Sequence, residues 1–227
     1  MAKIVKILTT EFVTHDVKRF VLEKPKGYKF IPGQATDVAI NKLKWKKKTH
    51  PFTFTSLNED PDLEFTIKEY PLKLYPDHKG MTEMLHQLKV GDELIVGEPW
   101  GTINYKGPGV FIAGGVGITP FISILRDLKE KNKLSGNKLI FSNKTKDDMI
   151  LEEEFRKMFN PDDLILTLTR EKVAGFESGR VDEAFLKKYV KDFHQNFYIC
   201  GPKPMVAGLK ETLANFGAKT DSIVFEE

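Results

Sequence analysis

The sequence predicts two domains: an antiparallel β-barrel over residues 1–106, then an α/β doubly wound parallel five-stranded sheet over residues 107–227. Three observations carry this. The first half reads as short strands punctuated by Pro and Gly. From Gly107 onward, buried-type strands alternate with amphipathic helices. The rhythm changes at residues 105–109 (YKGPG), a stretch rich in Gly and Pro.

In the first half, period-two patterning marks strands at residues 4–13, 17–23, 36–40, 49–56, 63–70 and 93–96, with breaks at 25–27, 32–33, 58–61 and 91–92. Short, closely spaced strands of this kind close into a barrel. One helix is expected at 81–88, right after Gly80, because Met81, Met84, Leu85 and Leu88 fall on one face. In the second half, strands are expected at 110–113, 138–142, 164–169, 197–200 and 222–225, and helices at 120–131, 150–158, 181–190 and 203–216. Phe121, Ile124, Leu125 and Leu128 make a single apolar stripe, as in a helix packed on a sheet. Repeated βα units then imply a parallel sheet.

Composition narrows the function classes. With 41% hydrophobic and 30% charged residues, the chain is an ordinary globular one. No apolar run is long enough to cross a membrane and no secretory signal is visible, so a cytoplasmic, non-membrane protein is expected. A single cysteine, Cys200, excludes an intrachain disulfide and any four-cysteine iron–sulfur or zinc site made by this chain alone. No metal site is expected, and redox work would need another cofactor. A net charge of +3 is too small to argue for nucleic acid. Its excess lies in the first half, where residues 41–48 (NKLKWKKK) hold Lys42, Lys44, Lys46, Lys47 and Lys48 around Trp45.

The strongest motif is Ala113-Gly-Gly-Val-Gly-Ile-Thr-Pro120, between the first α/β strand and its helix. Gly114, Gly115 and Gly117 let backbone approach a bulky anion, Thr119 is placed to cap the helix, and Pro120 suits its first turn. Unpaired N–H groups and the helix dipole attract phosphate there, so a pyrophosphate is the expected occupant. A tight strand-to-helix turn also forms without a ligand, and what favours the ligand is the motif's place after a strand and before a helix.

GGVGITP resembles the nucleotide-binding turn of the ferredoxin–NADP reductase family, and that family's other signatures follow in order. Tyr198-Ile-Cys-Gly-Pro202 resembles its Cys-Gly-Pro element and Phe225-Glu-Glu227 its terminal aromatic and acid. His50-Pro-Phe-Thr53 resembles its Arg-x-Tyr-Ser/Thr flavin motif, and Gly80-Met-Thr82 its flavin phosphate turn. The resemblance runs the length of the chain. It implies a flavoprotein oxidoreductase that holds FAD, rather than FMN, in the barrel and takes NAD(P)H in the second domain.

On that resemblance, His50, Pro51, Phe52, Thr53, Gly80, Met81 and Thr82 bind the flavin, with Phe52 against the isoalloxazine ring and the Thr53 hydroxyl near N5. Gly114, Gly115, Gly117, Ile118, Thr119, Pro120, Ser142, Asn143, Lys144, Gly201 and Pro202 meet the nucleotide. Cys200 lies beside the nicotinamide C4 as a shaping contact, Phe225 covers the flavin face and yields it to nicotinamide, and Glu226 assists in proton handling. By their own chemistry, a phenylalanine in a strand is ordinarily core, a lone buried cysteine is a small hydrophobe, and Gly80 to Thr82 cap a helix as readily as they hold phosphate. The chain departs from the family at His50, where the family has Arg, and at Phe52, where it usually has Tyr. An imidazole makes a weaker, pH-dependent phosphate contact than a guanidinium fork.

Lys144 and Arg170 suit the 2′-phosphate of NADP, yet residues 142–151 (SNKTKDDMIL) resemble the corresponding stretch of NADH-using cytochrome b5 reductases, so the donor stays NAD(P)H. The activity implied is hydride transfer from NAD(P)H to FAD, then single electrons to an acceptor such as flavodoxin or ferredoxin, since the chain has no iron–sulfur or haem domain of its own. Other readings are the reductase component of an oxygenase, a soluble flavin, quinone or ferric reductase, and a non-enzymatic nucleotide-binding regulatory subunit. A basic hairpin such as Lys42 to Lys48 is most often a solvated turn; the sharper reading is a docking surface for an acidic carrier, with Trp45 as its anchor.

Overall fold

Alternation in the first half places one set of side chains inside a closed sheet. Six antiparallel strands, β1 (Lys3–Phe12), β2 (Val17–Glu23), β3 (Ala35–Ile40), β4 (His50–Thr53), β5 (Asp62–Lys68) and β6 (Glu93–Trp100), run in the order β4-β3-β6-β1-β2-β5. The two ends of that order meet. Phe54, one residue past β4, bridges Phe65 of β5, and Thr55 N donates to Glu64 O at 2.9 Å. The sheet is therefore a barrel, filled by Phe20, Leu22, Val38, Ile40, Leu63, Phe65, Leu94 and Val96. Phe54 joins them, stacked on Phe30 with ring centroids 4.2 Å apart. This computed structural model describes residues 2–101, 103–219 and 223–225.

Several boundaries shift for physical reasons. β4 ends at Thr53, not 56, because regular pairing gives way to the single bridge at Phe54. β6 extends to Trp100 because β3 keeps pairing with it, Thr36 with Pro99 and Ala35 with Trp100, past the last buried alternation at Val96. α1 (Met81–His86) stops short of 88, since Gln87 N and Leu88 N bond three residues back to Met84 and Leu85. Leu88 is buried nonetheless, as the apolar face required.

The remainder forms a separate compact unit, Ile103–Phe121 with Leu125–Glu227, beside Met1–Thr102 with Ile122–Ile124. Its order is β7 (Gly109–Gly114), α2 (Thr119–Glu130), β8 (Lys138–Asn143), α3 (Glu152–Met158), β9 (Leu164–Leu168), β10 (Glu177–Ser178), α4 (Glu183–Tyr189), β11 (Asn196–Cys200), α5 (Lys203–Asn215) and β12 (Ile223–Phe225). All strands pair in parallel, in the order β10-β9-β8-β7-β11-β12. The five expected strands are present, and the two-residue β10 is added at one edge, too short to show any period. α4 starts at Glu183 because the Asp182 carboxylate caps it, accepting from Phe185 N at 2.9 Å.

Two features of this unit bear on function. From β7 the chain builds outward through β8, β9 and β10, then returns to lay β11 and β12 on the other side, so strand order reverses between β7 and β11. Open α/β sheets bind ligands at the carboxyl ends of strands flanking such a reversal. The YKGPG stretch is also firmly tied. Tyr198 Oη accepts from Lys106 N at 2.8 Å and donates to Gly107 O at 2.8 Å, while the Asn137 amide donates to Tyr105 Oη at 3.1 Å.

Candidate functional site

At the reversal point, two turns interlock. One follows β7 and carries Gly114, Gly115 and Gly117; the other follows β11 and carries Cys200, Gly201 and Pro202. A Cβ on Gly117 would lie 2.5 Å from the Cys200 carbonyl, and one on Gly114 would lie 2.5 Å from Met205 Sδ and 3.0 Å from Pro202 Cδ. A Cβ on Gly201 would stand 3.1 Å from Gly114 N. These three glycines are needed for each other. Gly115 differs: it sits at φ 55° and its missing Cβ would meet nothing within 4 Å. Here bare backbone faces open space, as a phosphate cradle requires.

Gly115–Ile118 already form a turn of 3-10 helix that runs into α2. Thr119 therefore does not cap the helix as expected. Ile118 occupies that position in helical conformation, and Thr119 Oγ1 donates instead to Val116 O at 3.1 Å. Pro120 sits in the first turn of α2. The unpaired N–H groups of a helix start thus fall at Gly115 and the residues just after it, next to the open face, and this arrangement fits a pyrophosphate. Cys200 ends β11 at 6% exposure.

Of the residues expected at the ribose, Ser142 and Asn143 are buried, and the Asn143 amide donates to Met149 Sδ at 3.1 Å. Lys144 is exposed, with Arg170 beside it through an Arg170 N to Lys144 O bond of 2.9 Å. Asp148 is held in a capping box with Thr145. Phe225 pairs by its backbone with Ile199 in β12; its side chain and Glu226 lie outside the described residues.

In the barrel, alternation places Phe52 and Phe54 toward the core. Phe54 is wholly buried and Phe52 half-buried against the same cluster. Thr53 and Thr55 take the opposite face, where Thr55 Oγ1 donates to Glu64 Oε1 at 2.8 Å and Arg19 pairs with Glu64 at 2.6 Å. Pro51 is exposed and His50 half-buried. Burial chiefly, and then the positive charges of His78 and Lys79, hold the His50 imidazole below its ordinary pKa. His78 lies flat on Tyr70, ring centroids 4.1 Å apart, and Tyr70 N donates to Thr82 Oγ1 at 3.0 Å. Met81 is 1% exposed and packs in the barrel core.

Trp45 does not project as a surface anchor. It is half-buried against the barrel core, its ring edge 3.9 Å from where Gly80 would carry a Cβ, with Lys48 Nζ 4.6 Å above the ring. Leu43 is the apolar residue that projects, at 86% exposure.

Sequence reasoning missed Met205. Nothing local marks Met205, whose contact with Gly114 spans two turns distant in sequence.

Residues 2–90 match the family described as FAD-binding domain, and residues 111–211 the family described as Oxidoreductase NAD-binding domain. The chain belongs to the ferredoxin–NADP reductase-like oxidoreductase family. This reductase is accordingly an NAD(P)H-dependent flavin oxidoreductase that binds FAD and takes NAD(P)H as substrate. It is 29% identical to NADH-cytochrome b5 reductase 2 of Mycosarcoma maydis, over 92% of this chain and 68% of that protein. It is 26% identical to the reductase component of propane 2-monooxygenase from Rhodococcus jostii, over 98% of this chain and 62% of that one. Its fold matches a ferredoxin NADP+ reductase from Neisseria gonorrhoeae solved with FAD and NADP, with a TM-score of 0.82 at 20% identity, covering 99% of this chain and 98% of the other. Among the described residues, no helix of the reductase is long and apolar enough to cross a membrane.

Proposed function

We propose that this reductase delivers single electrons from reduced FAD to an acidic carrier of the flavodoxin or ferredoxin type, with residues 1–106 as its flavin half and residues 107–227 as its NAD(P)H half. The observation behind the acceptor is the 42–48 loop: Lys42, Lys44, Lys46, Lys47 and Lys48 are all exposed, with Leu43 projecting among them. A basic loop speeds encounter with an acidic partner, and an exposed leucine supplies the apolar contact that charge alone lacks.

The flavin, when bound, accepts hydride at N5 and hands electrons on singly. The chain's part is positioning. Gly115 and the first helical turn seat the pyrophosphate of NAD(P)H, Cys200 shapes the nicotinamide pocket, and the Thr53 hydroxyl offers a neutral hydrogen bond at N5. The roles the family resemblance gives Phe225 and Glu226 fall on side chains outside the described residues.

Anaerobic mixing with NADH and, separately, NADPH reads donor choice from flavin bleaching. Turnover is then compared with flavodoxin, ferredoxin and cytochrome b5 as acceptors. Replacing Lys42, Lys44, Lys46 and Lys47 with Gln is expected to lower kcat/KM for the carrier about tenfold or more at low salt and to flatten its salt dependence. Carrier turnover indifferent to both salt and these lysines overturns the docking assignment. A second reading, the reductase component of an oxygenase, is favoured by the likeness to the propane 2-monooxygenase component. Fast turnover with an oxygenase component alone would select it.

A further inference from the structure

We propose that the acidic carrier docks across two loops, 42–48 and 71–79, with Leu72, Lys73 and Leu74 completing the surface that the lysines of the first loop begin. This rests on the carrier reading above and deepens it. The partner that fits is a folded protein whose acidic rim surrounds an apolar face.

Both loops are tightly wound and rooted at one point. Trp45 N and Lys46 N donate to Lys42 O at 2.8 and 2.9 Å, and Leu74 N and Tyr75 N each donate to Pro71 O at 2.9 Å. Leu72 N donates to Glu83 Oε2 at 2.8 Å, which fastens the second loop to α1. Trp45 Cη2 and Leu72 Cδ2 each come within 3.9 Å of the position a Cβ would take on Gly80. Two segments distant in sequence thus meet over one glycine.

Trp45 packs inward at this root, while leucines beside it reach solvent. Leu43, two residues before Trp45, is 86% exposed; Leu72 is 47% exposed, and Leu74, two residues after it, 70%. Tight turns ordinarily carry polar residues, and an exposed leucine forgoes the free energy of burial. A single such residue needs no explanation, but leucines on two adjoining loops form a contact surface. Lys44, Lys46, Lys47 and Lys73 are exposed among them. Across residues 42–48 and 71–79 the one acidic residue is Asp77. An apolar patch ringed by lysines is complementary to an acidic partner.

An anionic lipid surface offers the same charge, but the rest of the surface does not suit it. Proteins that lie on membranes present tryptophan or an amphipathic helix to the headgroups. Here Trp45 packs on the barrel core, and turns make up the surface. Phe52, which the family resemblance sets against the flavin ring, packs on that same core, so a carrier seated here lies beside the strand assigned to the flavin. The two kinds of side chain also act differently. Lysines raise the rate of encounter and set its salt dependence, whereas leucines hold the docked complex together.

That difference supplies the test. Turnover of the holoenzyme with NAD(P)H is measured on flavodoxin and ferredoxin, and on menadione, a small neutral acceptor that needs no docking surface. Leu74→Ser is expected to lower kcat/KM for the carrier about fivefold with its salt slope unchanged, and Lys73→Gln to lower it about twofold while flattening that slope. Both variants keep menadione turnover within about twofold. Carrier turnover indifferent to Leu74 and Lys73 overturns the second loop. The carrier reading survives that result if the lysines of 42–48 still matter, and falls with it if they do not. A matching loss with menadione marks damage to the barrel and overturns the inference, as does a holoenzyme that reduces neither carrier. Sedimentation with phosphatidylglycerol vesicles that depends on Leu74, beside carrier turnover that does not, assigns the surface to lipid and overturns it too.

Discussion

The two halves of this reductase build their sites from different materials. In the α/β unit the nucleotide turn is backbone: Gly114, Gly117 and Gly201 let two turns interlock, and Gly115 leaves bare main chain facing outward. In the barrel, where the family has its arginine, this chain has the half-buried side chain of His50. The buried polar residues divide in the same way. Among the described residues the barrel buries Lys18, Glu64 and His86 beside neutral residues such as Thr36 and Thr55, whereas the α/β unit buries no Lys, Arg, Asp, Glu or His. Gly114, Gly117 and Gly201 are fixed by close packing, whereas Gly115 is constrained only by its left-handed backbone.

The sharpest way to break that contrast is Gly117→Ala. Its Cβ would meet the Cys200 carbonyl at 2.5 Å, and backbone on both sides cannot yield as a flexible side chain can. A loss of about 3 kcal/mol or failure to fold is expected, read by urea unfolding. Tolerance within about 1 kcal/mol would show that the two turns are not interlocked. Gly115→Ala is the companion: only left-handed strain of about 1–2 kcal/mol opposes it, because nothing surrounds the new Cβ. Its main expected effect is on NAD(P)H, with KM raised about tenfold as the methyl group intrudes where phosphate would approach. An unaltered KM would place the nucleotide elsewhere.

These materials also explain what was legible. Glycine strings, Pro120 and period-two alternation are local, and from them the barrel, the parallel sheet and the place of the nucleotide turn follow. Thr119 was misread as a cap because the helical turn starts four residues earlier, at Gly115, and a 3-10 turn has no signature distinct from a loop. That Trp45 packs inward was not legible, because a tryptophan among five lysines gives no hint that Gly80 leaves room for it. The contact of Met205 with Gly114 joins two segments distant in sequence.

A smaller effect tests the barrel site directly. His50→Arg restores the guanidinium that the family has at this position. FAD release is expected to slow several-fold, because a fork-shaped donor grips a diphosphate better than one imidazole. If release is unchanged, His50 does not face the diphosphate.

The finest test of the contrast is pH. His86 Nε2 lies 2.8 Å from the Ile67 carbonyl, so it carries the proton and donates, leaving Nδ1 buried without a hydrogen-bond partner. Burial, with some help from Lys18, holds its pKa below the ordinary 6.5, against the opposing pull of the Ile67 bond and of Glu69 and Asp16. In the unfolded chain His86 takes up a proton near pH 6.5, whereas in the native barrel it resists until lower pH. Stability from the neutral ring is thus full above about pH 6.5 and is lost as pH falls below it, at no more than ~1.4 kcal/mol per pH unit for one proton. His86→Gln keeps a donor for Ile67 and removes the titration, so its stability is expected to change less between pH 7 and 5 than that of the unaltered protein. Because no histidine of the α/β unit is buried among the described residues, hydrogen exchange should show the acid-sensitive opening in β2, β5 and α1 and leave β7, β8 and β11 unmoved. Equal acid loosening of both sheets would mean that the division between ionisable and neutral interiors does not govern how this reductase responds to pH.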